Sequence, residues 1–576
     1  MSLSNPENSN PMNIKKIAHL LLLFAGISIV DGCSDLEEEI LDEASTAGLS
    51  EQETADGMLA PAYGVFSDLF THTHYFNLQE ISTDEAILPY RGGTDWGDNG
   101  IFIAMHTHNF FTTDPRIEGV WNNLFTGISR CVTALDVLPT LTINTDAYQA
   151  EVRALKAYYS MLTLDLYGLV FVKETVNETS TVLRGTDAFD YVESELLAVK
   201  DLVPGELGPG RISTPVVQGL LARLYLNAAV YRDPYAPQPD FTSEDMDQVI
   251  AYCDQIINSG KYALSDDYFA IFGNDNHANS EHLFVYDQRP ELNGHNRLAY
   301  FSLSGDQYPL PEFPDANGTD GPAITSDFYQ TWEAAYAPVD PAALDPRFHQ
   351  ENLSVYSNPA DSCVAGENFH INRGILRGQQ YGLVKDASGS FVRCSDGATY
   401  QVSPLYNVRR NNPDLPVIFT QEVDFTVSGS NYSSGYRVEK YEFSRESSSG
   451  RNFGEADIVL LRLADIYLMR AEAKLRKNND MASALADVNT VRAARTATTP
   501  PPPLTEMSLD VLFRERGFEF YWEMLRRTDM IRFGKYEDTW TEKTDSDPLK
   551  RLFPIPQNAI DGASNVDGYL DQNEGY

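Results

Sequence analysis

Positive charge is scarce in this chain: 43 Lys and Arg stand against 83 Asp and Glu in 576 residues, a formal charge of −40. A surface of that sign repels phosphate backbones, which excludes nucleic-acid binding. It also disfavours polyanionic ligands unless a local basic patch exists. Cysteine is rarer still, at five. Cys131 and Cys253 fall in helical patterns and read as small buried hydrophobes. Cys363 and Cys394 lie in a loop-rich stretch and can pair in an oxidising compartment. Closing that loop would contribute about 3–4 kcal/mol in the chain-entropy view. After the first 32 residues no apolar run reaches the ~18 residues of a spanning helix. Catalytic signatures are missing too: there is no Gly-x-Ser-x-Gly elbow, phosphate loop, His-Glu-x-x-His or Cys-x-x-Cys. Even so, 42% hydrophobic and 11% aromatic residues mark a folded protein with several sizeable cores.

At the N-terminus, Lys15 and Lys16 precede a nearly all-apolar run, Ile17 to Val30, which ends at Gly32-Cys33. The run has the length of a secretory h-region and is too short to cross a bilayer. Its junction resembles a bacterial lipobox, which implies cleavage after residue 32 and acylation of the Cys33 thiol. Residues 33–50 then form an acidic surface tether. Its start, Ser34-Asp35-Leu36-Glu37-Glu38-Glu39, resembles the signal that sends lipoproteins of Bacteroidota-type bacteria to the outer face of the outer membrane. Acyl chains contribute roughly 0.8 kcal/mol per buried methylene, so Cys33 would hold a soluble domain at a membrane. Glu7 and Asp31 balance Lys15 and Lys16, so the mature chain keeps its charge.

Residues 51–261 read as helical hairpins. Glu118 to Leu138, Ala147 to Tyr167, Asp187 to Leu202, Pro215 to Tyr231 and Ser243 to Ile257 carry apolar residues at helical spacing. Small residues sit one turn from large ones, as with Ala150, Ala154 and Ala157 against Tyr158, Leu162 and Leu166. This pattern lets helices approach closely, as tetratricopeptide-like pairs do. Residues 262–450 are rich in Gly, Pro, Asn, Asp and Ser, with a helix expected at Ser326 to Tyr336, capped by Ser326. Strand-like runs occur at Val417 to Phe419 and Tyr436 to Phe443. So long a loop-rich insertion is generally functional. In residues 451–576 the helical pattern returns at Asp457, along the stripe Ile458, Leu461, Ala464, Leu468, Ala471 and Leu475. Asp480 then caps a helix from Met481 to Arg495, and Ser508 caps a last long one ending near Gly534.

Three blocks here resemble the SusD/RagB family of outer-membrane nutrient-binding lipoproteins. They are Asp457 to Ala473 (DIVLLRLADIYLMRAEA), Glu515 to Gly534 (ERGFEFYWE…RRTDMIRFG) and Leu552 to Gln557 (LFPIPQ), the last followed by Gln572 to Tyr576 (QNEGY). An N-terminal echo, Glu80 to Glu85 and then Arg91 to Trp96, extends the match over most of the chain. The resemblance implies a mainly α fold: a tetratricopeptide-like scaffold with a loop-rich variable region that contains short strands and carries the ligand site. It further implies an oligo- or polysaccharide ligand, sometimes a peptide as in RagB-like members. The expected partner is a SusC-like TonB-dependent transporter, over which the protein closes as a lid. It implies binding and delivery without cleavage, and no cofactor.

Sugar binding needs exposed aromatic faces and short polar chains. Trp96, in a Gly/Asp-rich loop without apolar neighbours, is the first candidate, and the resemblance places that loop near the site. Trp332 and Tyr308 are further aromatic candidates. Asp84, Arg91 and Asp95 can supply hydroxyl partners, with Arg373 and Arg377 weaker choices. Trp121 and Trp522 fall in helical stripes and read as core. The row Glu515, Glu519 and Glu523 could be a catalytic carboxylate set, but Arg516, Arg526 and Arg527 share its helix, notably Arg527 with Glu523. The row is therefore expected to be structural. His106-Thr107-His108 has metal-ligand spacing on a strand, but no third ligand recurs nearby, so no metal is expected. The acidic surface itself favours neutral sugars.

Overall fold

The computed structural model describes residues 49–92, 96, 100–292, 294–353, 362–426, 431–445 and 454–576. Cys33, the leader, nearly all of the tether and Asp95 lie outside the described residues. Helices dominate, and helix α1 is Glu51–Tyr63. Next come α2 (Pro115–Val137), α3 (Asp146–Tyr167), α4 (Gly185–Val199), α5 (Thr214–Leu226) and α6 (Ser243–Asn258), each within a few residues of the periodicity-based limits. Asp114 starts α2 by accepting from the Arg116 and Ile117 amides, and Pro115 occupies the first turn, where its missing N–H costs nothing. Almost every residue of α3 from Ala154 to Tyr167 is buried, so it is the central post around which α1, α2 and α4 pack. Helix α6 bridges α5 and the C-terminal helix α8 (Leu463–Asn478), which pairs with α9 (Met481–Ala494). From Glu51 to Tyr576 the chain is one compact unit. Among the described residues no helix is long and apolar enough to cross a membrane.

The stretch between α6 and α8 is built from loops and short antiparallel pairs around α7 (Ser326–Tyr336). Thr325, not Ser326, caps α7, accepting from the Phe328 amide. Strands Ile418–Phe419 and Arg437–Glu439 pair with Gly378–Gln379 and Arg373–Leu376. Cys363 and Cys394 are joined by a disulfide; Cys131 and Cys253 are free and buried.

Two expectations for the C-terminal part need correction. Ile458–Arg462 is a strand, antiparallel to His282–Tyr286 and buried at every position, and α8 begins only at Leu463. The Ser508-capped helix α10 (Leu509–Phe520) stops well before Gly534. Trp522 (φ 65°) and Met524 (φ 61°) turn the chain in the left-handed region, which bulky residues rarely adopt, before α11 (Arg526–Arg532). Two buried carboxylates hold that turn: Glu85 accepts from the Trp522 amide at 2.7 Å, and Glu80 accepts from the Met524 amide.

Burial raises both carboxyls, which lie against each other; Glu85 is lifted from its ordinary 4.5 to about 7. The folded state therefore holds a proton that the unfolded chain releases above 4.5. Stability from this pair is full below that value and falls as pH rises towards 7. Glu85→Gln keeps the acceptor and removes the charge. The variant is expected to gain thermal stability over the parent at about pH 8 and to show no gain at about pH 5, read from paired melting curves. An equal difference at both pH values would rule the pair out as the cause.

Candidate functional site: an arginine-lined cleft at Trp96

A cleft of about 660 Å³ opens beside Trp96, in the loop-rich part of the molecule. Its walls are the loops around 303–321 and the tight turn Val408–Arg410, whose follower Asn411 takes a left-handed conformation (φ 56°). Gly318 lets two strands of loop meet: a Cβ there would sit 2.3 Å from the Ser304 carbonyl and 2.4 Å from that of Leu303. Asp320 then stitches the walls together. It accepts from the Gly305 amide at 3.0 Å and from the Arg410 guanidinium at 2.8 and 2.5 Å.

Trp96 is half-buried. Its indole N–H donates to the Thr319 carbonyl at 2.9 Å, and its ring meets Phe301 and Phe102 edge-on with centroids 5.2 and 5.9 Å away. The Arg297 guanidinium lies 5.4 Å from the ring centroid. The ring is thus locked in orientation while part of its surface faces the cleft. Arg409 is exposed, its guanidinium 3.5 Å from Asn317 Oδ1 and beside Tyr308, and its amide donates to Asp306. Burial raises the Asp306 carboxyl to about 6. Arg410 stacks on Tyr432, 4.8 Å from the centroid, and Gly92 makes room for that ring, since a Cβ there would lie 2.2 Å from it.

The other sequence candidates are placed elsewhere or buried. Arg91 is 2% exposed and serves the cleft from behind, donating to the carbonyls of Asp320, Gly321, Asn431 and Ser434. Asp84 clamps Arg526 through two 2.7 Å bonds, tying the N-terminal loop to α11. Trp332 is fully buried and stacks on Phe518, centroids 3.7 Å apart, so it offers a ligand no face. Tyr308 is 3% exposed, under the Lys385 ammonium. Arg373 is buried against Glu439 at 2.9 Å, and Arg377 pairs with Asp340. Sequence reasoning missed Arg297, Arg409 and Arg410. The one signal was the dibasic pair followed by Asn411-Asn412-Pro413, a turn in a chain poor in cations.

The enzyme-like patterns resolve into structure. Glu515, Glu519 and Glu523 are buried and ion-paired, but Glu523 lies beyond α10. It bonds Arg462 and Lys440, while its expected partner Arg527 bonds Asp165 instead. His106 ends a short helix, Ile101–His106, rather than lying on a strand. His106 bonds the carbonyls of Ile81, Ala86 and Thr541, and His108 bonds that of Ser82. Trp121 and Trp522 are core residues.

A helical scaffold carrying a loop-built, aromatic and polar cleft has the architecture of a binding protein. The SusD family model matches residues 270–576, and the chain belongs to that family, whose members are non-catalytic binding proteins. Starch-binding protein SusD of Bacteroides thetaiotaomicron is 25% identical over 523 residues, which are 87% of this chain and 85% of that protein. A SusD superfamily protein from Parabacteroides distasonis superposes with a TM-score of 0.64 at 17% identity, covering 92% of this chain and 100% of the other. Surface glycan-binding protein A from Bacteroides thetaiotaomicron, solved with laminarihexaose, gives 0.62 at 20% identity over 90% and 99%.

Proposed function

We propose that this chain is a cell-surface lipoprotein that binds oligo- or polysaccharide in the Trp96 cleft and delivers it to a SusC-like TonB-dependent transporter. The observation that carries the reading is a locked, half-buried indole lining a 660 Å³ polar cleft. Flat rings pack on the C–H faces of sugars, and the neighbouring amide and guanidinium groups suit hydroxyls. The starch-binding relative and the laminarihexaose complex support a glycan as cargo. Acylation of Cys33 would anchor the chain at the outer membrane, with the acidic segment as its tether.

The test is a binding screen of the chain from Ser34 onward, which retains every described residue, against neutral polysaccharides, acidic polysaccharides and peptide digests. Saturable glycan binding without release of reducing ends is expected. Binding to peptides alone would replace this reading with a RagB-like one, and release of reducing ends would make the protein an enzyme.

A further inference from the structure

Among the described residues, the lining of the cleft has the opposite sign to the chain as a whole. Three guanidiniums, Arg297, Arg409 and Arg410, line it, and no carboxylate does among the described residues. Two acids stand behind the wall. Asp320 is 1% exposed and committed to Arg410 and the Gly305 amide. Asp306 is 7% exposed and takes the Arg409 backbone amide. Two more guanidiniums lie behind the same loop. Arg91 donates to the Asp320 and Gly321 carbonyls, and Arg437 donates to those of Ser302 and Gly321, with no carboxylate within 4 Å of Arg437 among the described residues. Among the described residues the lining itself is cationic, with Arg409 exposed and in no ion pair, in a chain of formal charge −40. Asp95 and Asp98, which flank Trp96 in the sequence, lie outside the described residues.

A neutral sugar needs no such inversion. Planar guanidinium forks match carboxylates and sulfates, and in a partly desolvated cleft such charge-assisted bonds are roughly twice as strong as neutral ones. Resting on the glycan reading above, we infer that the natural ligand is an acidic glycan, whose uronate carboxylates or sulfate esters are bound by Arg409 with Arg410 and Arg297 beside it. The overall acidity then has a use: it disfavours non-specific contact of polyanions with the rest of the surface.

The test is calorimetric titration of the chain from Ser34 with hexagalacturonate, a sulfated galactan hexasaccharide and laminarihexaose. Arg409→Gln is the informative variant, because Arg409 is exposed, makes no ion pair among the described residues, and keeps in Gln the backbone amide from which Asp306 accepts, whereas loss of Arg410 would strand Asp320. At least one acidic oligosaccharide is expected to bind about tenfold more tightly than laminarihexaose, and Arg409→Gln to remove about that factor. The preference is also expected to shrink between about 50 and about 500 mM salt. The two acidic probes separate a carboxylate from a sulfate. Laminarihexaose binding as tight as theirs, unchanged by Arg409→Gln but lost in Trp96→Ala, would overturn the acidic ligand and leave the glycan reading standing. Failure of every oligosaccharide, with peptide bound instead, would overturn both.

Discussion

Glu519→Ala is expected to be the most damaging single change in the protein, leaving little folded material at growth temperature. Glu519 is fully buried at the end of α10. One carboxylate oxygen takes Arg462 at 2.7 Å and Arg495 at 2.5 Å, and the other takes Arg347 at 3.0 Å. Around it Glu281 bridges Arg462 and Arg495, Glu515 bridges Arg347 and Arg492, Asp345 holds Arg347, and Glu523 holds Arg462 and Lys440. Five acids thus balance five bases, all buried. Removing Glu519 leaves three guanidiniums sharing too few carboxylates in a low-dielectric interior. Breaking one buried pair costs roughly 3–5 kcal/mol, a large part of the ~5–15 kcal/mol that holds a domain folded.

Burial pushes the Glu519 carboxyl up, but Arg495, Arg462 and Arg347 overcome it, so it ionises well below the ordinary range. Its contribution is therefore complete above 4.5 and is lost as pH falls through the depressed value. Denaturant melts at neutral pH should show the full loss for Glu519→Ala. Glu506→Ala, exposed and in a loop, should stay within about 0.5 kcal/mol of the parent. A Glu519→Ala melt within about 2 °C of the parent would mean that the network adds nothing.

That network also shows what a sequence hides. Helices α2, α4 and α6 were legible because each buries one stripe at a period near 3.6, α3 and α5 because their apolar runs are too long for strands, and Asp480 and Ser508 were legible as caps. Ile458–Arg462 was not, since a short strand buried on both faces has no polar side to reveal its period. The break after Phe520 was invisible for another reason. Its left-handed positions hold Trp522 and Met524 rather than Gly or Asn, and they are held by Glu80 and Glu85, more than 400 residues away in sequence. The same distance hid the cleft. Trp96 stood out locally, but the loops that complete its surroundings come from around residues 297–321 and 408–411. Nor could composition separate the exposed Arg409 from the buried Arg91 and Arg373, because the difference is made by which carbonyls and carboxylates the fold brings to each.

Trp96→Ala is expected to weaken glycan binding by about 30-fold or more, the loss typical of a buried aromatic anchor worth about 2 kcal/mol. The argument turns on separating two jobs of one side chain. The ring offers a face to the cleft, and the Nε1–H bond to Thr319 at 2.9 Å pins the loop that carries Asp320 and so positions Arg410. Alanine removes both. Trp96→Phe keeps an aromatic face against Phe301 and Phe102 while deleting the donor. If stacking dominates, Phe should recover most of the affinity. If loop positioning dominates, Phe should bind nearly as poorly as Ala, and the deficit should be larger for acidic than for neutral oligosaccharides because Arg410 is displaced. Titration of both variants against the best ligand from the screen decides between these. Melting curves serve as the control, since loss of Trp96 packing is expected to cost a few kcal/mol of stability without unfolding the unit. Parent-like affinity in Trp96→Ala, with the fold intact, would move the binding site away from this cleft altogether.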